Sequence, residues 1–236
     1  MPRSSMAPDA AAASVLHVRL DGPRTGAENM AADRQLLDEA RPVVRLYGWR
    51  PACVSLGYTQ RPEDAVDLAA VAELGLDTVE RPTGGGAILH EASELTYAIV
   101  LPTGWPGLPT DLFASYRHMA EGVRLALRSL GLDAQYREAR GGRDAFCYLR
   151  EAGVAIAVNG RKISGGAQRR TARAVLQHGT ILVRHDAALA ARVFRRSEDE
   201  IARGVTSLAG EGVDIARDAL VRRVAEAYRT HLEPAR

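Results

Sequence analysis

The sequence predicts an α+β fold: mixed, largely antiparallel sheets flanked by helices. Three observations lead there. Short runs rich in Val, Ile, Leu and Thr recur along the chain, and turns join them more often than helices do. Asn159-Gly160, set between Val154–Val158 and a run from Ile163, is the strongest short hairpin signal a sequence can carry. From Asp111 onward, Phe113, Met119, Val123, Leu127 and Leu130 repeat with the period of one long amphipathic helix, which Gly131 ends. A chain of 236 residues can bury one large core. No repeat and no linker divides it, so residues 15–236 read as a single domain behind an Ala-rich lead, residues 1–14, expected to be disordered.

The elements follow in order. Val15 to Leu20 alternates as a strand. Asn29 to Ala40 places Met30, Ala31, Leu36, Leu37 and Ala40 at helical spacing, and Pro42 closes that helix. Val43–Trp49 and Val54–Tyr58 are strands. A helix from Asp67 to Leu74 stops at Gly75, a favourable C-terminal cap. Leu76–Arg81 is a strand that runs into Gly84-Gly85-Gly86; Ala87–His90 and Glu94–Leu101 continue as strands, and Thr103–Pro109 is a loop. After the long helix come strand Val154–Val158, the Asn159-Gly160 turn and a return strand from Ile163 that Gly165-Gly166 should break. Strand Val175–Val183 and two helices, Ala187–Val193 and Asp214–His231, finish the chain.

The composition, 46% hydrophobic and 25% charged, is that of an ordinary globular chain, and a net charge of +2 is too small to argue for a nucleic-acid partner. Basic runs at Arg161, Lys162, Arg169, Arg170 and Arg173, and at Arg192, Arg195 and Arg196, read first as solvated faces. Two cysteines make no disulfide framework and no CxxC pair, and the six histidines show no HExxH spacing, so no metal site is expected. Cys53, beside Val54 in a strand, reads as core. The absence of a signal-peptide core and of any long apolar run predicts a cytoplasmic protein with no membrane partner. One lysine, Lys162, stands against thirty arginines; a lysine's proton affinity responds to its surroundings and an arginine's does not.

The most informative stretch is Arg81-Pro-Thr-Gly-Gly-Gly-Ala-Ile-Leu-His90. Three adjacent glycines are costly to order, so they mark a sharp bend or a close approach of backbone to a ligand. No Gly-Lys-Ser/Thr follows, and there is no GxGxxG at a strand-to-helix turn, which disfavours the familiar phosphate cradles. On these residues alone, a structural turn and a binding floor both stay open.

Joined to Glu94-Leu-Thr-Tyr97, Gly160-Arg-Lys-Ile-Ser-Gly165, Ala167-Gln168 and Leu176-Gln-His-Gly-Thr-Ile-Leu182, that stretch resembles the biotin/lipoate protein ligase superfamily. Asn29-Met-Ala-Ala-Asp33 and Ser55-Leu-Gly-Tyr-Thr-Gln60 match its early segments, in the same order. The resemblance implies the biotin/lipoate ligase catalytic-domain fold. Two branches compete. Lipoate ligases activate a fatty acid with ATP and Mg before transferring it to a lysine of a lipoyl domain. Ligase-type octanoyltransferases take octanoate from octanoyl-acyl carrier protein, hold it as a thioester on a cysteine and pass it to the same lysine, without a cofactor. Cys147-Tyr148, fifteen positions before Lys162, and the Arg150-Glu-Ala-Gly-Val154 run where ligases usually carry Asn-Asp, resemble the transferases. Gly86 departs from them, because they often have arginine there.

The transferase resemblance implies Cys147 as nucleophile and Lys162 as the charge that stabilises its thiolate and orients the acyl carbonyl. It assigns binding to Arg81, Thr83, Gly84, Gly85, Gly86, His90, Ser164, Gly165, Gly166, Ala167, His178 and Gly179. Within that set, Gly84–Gly86 would leave room for the acyl chain, N–H groups near Gly165-Gly166 would meet the oxyanion, and Arg81 would meet an anionic carrier or phosphate. His90 is expected at the pocket, and His178 against the ligand, the Lys162 loop or the core. The implied partners are octanoyl-acyl carrier protein, which the basic stretch Arg169–Arg173 would dock, and a lipoyl-domain protein such as glycine cleavage H protein or a 2-oxo acid dehydrogenase E2. A non-catalytic lipoyl-binding or acyl-carrier scaffold on the same fold is the reading from a different class.

Overall fold

The computed structural model describes residues 15–139, 146–147 and 153–233. The lead 1–14, Tyr148 and Arg150-Glu151 therefore lie outside the described residues. The main sheet has the strand order β1-β2-β6-β10-β9-β8-β7. Its strands are β1 (His17–Arg24), β2 (Val43–Trp49), β6 (Leu95–Pro102), β7 (Gln135–Ala139), β8 (Gly153–Val158), β9 (Arg161–Arg170) and β10 (Ala174–Ile181). Only β1 and β2 run parallel in it; every other pair is antiparallel. A smaller sheet, ordered β4-β3-β5, contains β3 (Cys53–Leu56), β4 (Asp77–Glu80) and β5 (Ile88–His90).

Side chains alternate across a strand, so the main sheet has two unlike faces. One face sends Tyr97, Ile99, Ile163 and Ile181 against Met119, Val123 and Leu127 of α4 (Leu112–Arg128) and Leu220, Val224 and Tyr228 of α7 (Arg217–Leu232). Those helices cross closely because Gly122 has no side chain: a Cβ there would lie 2.3 Å from Tyr228 Cδ1. The other face sends Ala98, Val100 and Leu176 against Met30, Leu36 and Leu37 of α1 (Gly26–Glu39). A third cluster joins the small sheet, through Val54, Leu56 and Leu89, to Phe146 and to Val193 and Phe194 of α5 (Ala187–Phe194) and Ile201 of α6 (Glu198–Gly204).

Several elements differ from their sequence expectation, each for a physical reason. Helix α1 starts at Gly26 rather than Asn29, because Thr25 and Glu28 form a reciprocal capping box upstream of the apolar pattern. The helix expected over Asp67–Leu74 forms as α3 (Leu68–Glu73), capped by Asp67, but two short helices carry no sequence signal, α2 (Pro62–Ala65) and α6; each buries one residue, Ala65 and Ile201, too little to make a period. Strand β7 was likewise missed, and α7 begins at Arg217 rather than Asp214. The return strand is not broken at Gly165-Gly166: β9 continues through both, pairing Gly165 with Thr180 and Gly166 with Gly179.

The hairpin forms as expected, with Asn159 and Gly160 both at positive φ, 51° and 77°. Beyond it lies an irregularity. Ala157 pairs with Lys162 and Ile156 with Ser164, so Ile163 is an extra residue in β9. Residues 162 and 165 would point to opposite faces of a regular strand. The bulge re-aims Lys162 to the face of Gly165 while Ile163 packs in the α4–α7 core.

Candidate active site

Arg81 organises the glycine stretch. Its side chain is buried and donates from Nη2 to Gly84 O (2.7 Å) and Gly86 O (2.8 Å), from Nη1 to Ser55 O (3.1 Å) and Oγ (3.3 Å), and from Nε to Thr83 Oγ1 (3.2 Å). Gly85 has φ +98°, a conformation that side chains disfavour. The Ser55–Gln60 segment packs on the loop so tightly that a Cβ on Gly57 would lie 2.4 Å from Gly85 O. A guanidinium with three nitrogens bonded to its own chain is not a surface charge.

The loop leads directly to Cys147. Ala87, the residue after Gly86, bridges to Phe146 and accepts the Cys147 N–H at 2.9 Å. The Cys147 carbonyl is held from the other side, by Lys162 Nζ at 2.8 Å. Lys162 is 6% exposed and Cys147 9%. Its path depends on Gly165, since a Cβ there would lie 2.8 Å from Lys162 Cε. The glycine stretch, the hairpin lysine and Cys147 are thus brought together, with the lysine on the cysteine's backbone oxygen.

Next to this junction, between the two sheets, is a narrow slot lined by Met30, Trp49, Ile88, Ala167, Gly179 and the rings of His90 and His178, among others. Ile88, in its wall, is the neighbour of Ala87. The slot is framed by two hydrogen-bond chains of the same design. His90 Nδ1 is 2.7 Å from Glu94 Oε1, and its Nε2 is 2.7 Å from Ser55 Oγ. His178 Nδ1 is 3.0 Å from Asp33 Oδ2, and its Nε2 is 2.6 Å from Thr83 Oγ1. A carboxylate only accepts, so each imidazole donates through Nδ1–H and accepts the hydroxyl proton at Nε2. Both hydroxyl oxygens then accept from Arg81, where the chains meet.

The surroundings support this polarity. Asp33 also accepts from Arg45 Nη1 (2.8 Å) and from the Tyr47 hydroxyl (2.9 Å). Burial, more than the Asp33 charge, pushes the Tyr47 hydroxyl well above its ordinary value. Burial likewise pushes His178 below the usual imidazole range, and the bond to Asp33 offsets this only in part, so the ring stays neutral. Thr96 donates to Glu94 Oε1 (2.7 Å) and accepts from Trp49 Nε1 (2.7 Å), while the Trp49 ring stacks on His90 at 3.8 Å. Burial drives the Cys53 thiol strongly upward, in keeping with its core assignment.

Of the residues singled out from sequence, Arg81, His90, Ala167, His178 and Gly179 line the slot. Thr83 and Gly84–Gly86 form the loop above Arg81. His178 pairs with Ala167 in the sheet, but its ring bonds to Asp33 and Thr83 rather than to the Lys162 turn. Ser164 lies apart from the slot. It is fully buried beside Tyr97 and Ala120, in a small cavity on the α4 side of the sheet, away from Lys162. Gly166 faces the same way, toward the Tyr97 hydroxyl and Gln177. Along the basic stretch, Arg170 is tied to Thr110 O and Pro109 O, and Arg169 lies over the Tyr58 ring. Sequence reasoning missed Asp33, Ser55 and Glu94 as site residues; the signal was a polar side chain inside an apolar run, as in Cys53-Val-Ser-Leu56.

Residues 25–229 match the lipoyl protein ligase A/B catalytic domain family. The chain is 36% identical over 239 residues to Octanoyltransferase LipM of Kyrpidia tusciae, spanning 90% of this chain and 87% of the relative. It is 38% identical over 187 residues to Octanoyltransferase LipM of Geobacillus kaustophilus, spanning 73% and 67%. Among solved structures it resembles lipoate-protein ligase A bound with ATP, with TM-score 0.79, 25% identity and coverage of 92% of this chain and 85% of that one. It shares the fold of a bipartite lipoate protein ligase from Thermoplasma acidophilum, described with its E2 lipoyl domain, with TM-score 0.75, 23% identity and coverage of 92% and 84%.

Proposed function

The chain belongs to the lipoyl protein ligase A/B catalytic domain family, and from that membership we propose that it is an acyltransferase of protein lipoylation. It moves octanoate from octanoyl-acyl carrier protein, through a thioester on Cys147, to a lysine of a lipoyl-domain protein such as glycine cleavage H protein or a 2-oxo acid dehydrogenase E2. The relatives named Octanoyltransferase LipM, at 36% and 38% identity, support octanoyl transfer. The observation that carries the covalent route is the seat of Cys147, its N–H on Ala87 and its carbonyl on Lys162 Nζ, beside an apolar slot.

The steps balance without ATP or a metal ion. The Cys147 thiolate attacks the octanoyl thioester carbonyl; the C–S bond to the carrier breaks, and the carrier thiol leaves after taking up the proton that Cys147 had given up. The neutral amine of the acceptor lysine then attacks the Cys147 thioester. The amide C–N bond forms, the Cys147 thiolate leaves, and the ammonium proton passes to it or to water. Lys162, whose Nζ bonds the Cys147 carbonyl at 2.8 Å, steadies the charge that develops at the acyl oxygen. The octanoyl chain lies in the slot, where Met30, Ile88 and Ala167 remove it from water.

The test is intact mass. Incubation with octanoyl-acyl carrier protein and no ATP adds one octanoyl group to the wild type and none to Cys147→Ala, and adding a lipoyl domain discharges it. ATP-dependent lipoylation that survives in Cys147→Ala, with no adduct in the wild type, would instead identify an ATP-dependent lipoate ligase. Inertness in both assays would identify a scaffold.

A further inference from the structure

We infer that Arg81 is a positioning residue for Cys147, acting through the Gly86–Ala87 backbone, and that the Glu94–His90–Ser55 and Asp33–His178–Thr83 chains hold it in place. The inference rests on the reading of Cys147 as nucleophile. Arg81 is 2% exposed, so a carrier in solvent cannot reach its guanidinium. One nitrogen, Nη2, draws the carbonyls of Gly84 and Gly86 together at 2.7 and 2.8 Å. The residue that follows Gly86 is Ala87, whose carbonyl accepts the Cys147 N–H at 2.9 Å. The position of the guanidinium therefore sets the position of the cysteine backbone.

The pair of chains helps to fix the guanidinium. Two planar nitrogens, Nε and Nη1, need acceptors in fixed directions. Thr83 Oγ1 and Ser55 Oγ supply them only while their own protons point elsewhere. Each proton points to an imidazole Nε2, because the far side of each ring is anchored on a buried carboxylate. Removing the Thr83 hydroxyl takes an acceptor from Arg81 Nε, and removing the Ser55 hydroxyl takes one from Nη1, which still bonds Ser55 O; the glycine loop loosens with each. Geometry at a reacting atom is sensitive: a displacement of about 1 Å lowers a rate by roughly a hundredfold.

The test pairs a variant that removes the chain with one that keeps it. Thr83→Val retains shape and loses the hydroxyl; Thr83→Ser restores it. Stopped-flow mass measurement of Cys147 octanoylation by octanoyl-acyl carrier protein gives the maximal rate and the donor KM separately. Thr83→Val should lower the maximal rate by about tenfold to a hundredfold at unchanged KM, and Thr83→Ser should recover it. Ser55→Ala, in the other chain, should do the same and carries the test should Thr83→Val fail to fold. A raised donor KM at unchanged maximal rate would overturn the inference, as would Thr83→Ser behaving like Thr83→Val. A wild type that forms no Cys147 adduct would overturn the transferase reading itself, a result that none of these variants can mimic.

Discussion

Lys162 Nζ lies 2.8 Å from the carbonyl oxygen of Cys147, a residue fifteen positions earlier in the chain. The contact closes a circuit. The glycine stretch holds the cysteine amide, and the hairpin holds its carbonyl, so neither segment can move without moving the thiol. Cys147 differs from Cys53, a residue of the central strand β3, in that a lysine ammonium bonds its backbone carbonyl.

Replacing Lys162 by Met should abolish most transfer while leaving the fold intact. The stem is kept, the donor is lost, and the Cys147 carbonyl is left without Nζ. Single-turnover transfer from octanoyl-acyl carrier protein should fall by about a hundredfold to a thousandfold, the size of a lost electrostatic contact at a reacting carbonyl. A Lys162→Met protein with near wild-type turnover would remove the lysine from the chemistry.

Gly165→Ala tests the same contact from beneath. Its Cβ would lie 2.8 Å from Lys162 Cε, the far part of a flexible side chain, so the lysine swings aside and the strand survives. Turnover should drop by about a hundredfold with little change in Tm. Tm and rate falling together would point to a damaged sheet instead.

Stability should fall on mild acidification. Burial lowers the proton affinity of His178, and of His118 beside His231, below that of a free imidazole. The unfolded chain then binds more protons than the folded one below the ordinary imidazole value, about 6.5. Their contribution is present in full above that pH and is lost as pH falls toward the depressed folded values. Denaturant midpoints between pH 7.5 and 5 should decline, and His178→Gln should flatten the decline. An unchanged slope in His178→Gln would show that this ring does not report the transition.

Gly122→Ala should destabilise the protein without touching the site. The added carbon would sit 2.3 Å from the Tyr228 ring, which is fully buried and tied by its hydroxyl to Met119 O. Overpacking of about 1–3 kcal/mol outweighs the gain in helix propensity, which is at most about 1 kcal/mol. Urea unfolding should show a lower midpoint, and activity per folded molecule should be unchanged.

Much of the fold was legible because its signals are local. The Asn159-Gly160 turn, the α4 period and the apolar runs of β2, β6 and β10 each declare themselves within a short window. Helix α6 did not, because its one buried residue, Ile201, makes no period. The glycines of β9 were misread as a break because glycine usually weakens a strand; here Gly165 leaves the space that Lys162 occupies. At the site, the triple glycine, Cys147 and Lys162 stood out by composition and spacing. Asp33 and Ser55 did not, since their partners His178 and His90 are 145 and 35 residues away. The bulge at Ile163, which alone turns Lys162 to the useful face, leaves no mark in the sequence.

The single lysine has a further consequence. On the proposed thioester route, the protein would carry a reactive acyl group close to its own amines. Here thirty arginines supply the positive charge, and a guanidinium stays protonated and does not attack. The one ε-amine, on Lys162, is 6% exposed and occupied by the Cys147 carbonyl. On that route the chain offers its own acyl group no exposed lysine amine. An octanoyl amide on a side chain, which resists hydroxylamine where a thioester is cleaved, can form in residues 1–236 only on Lys162.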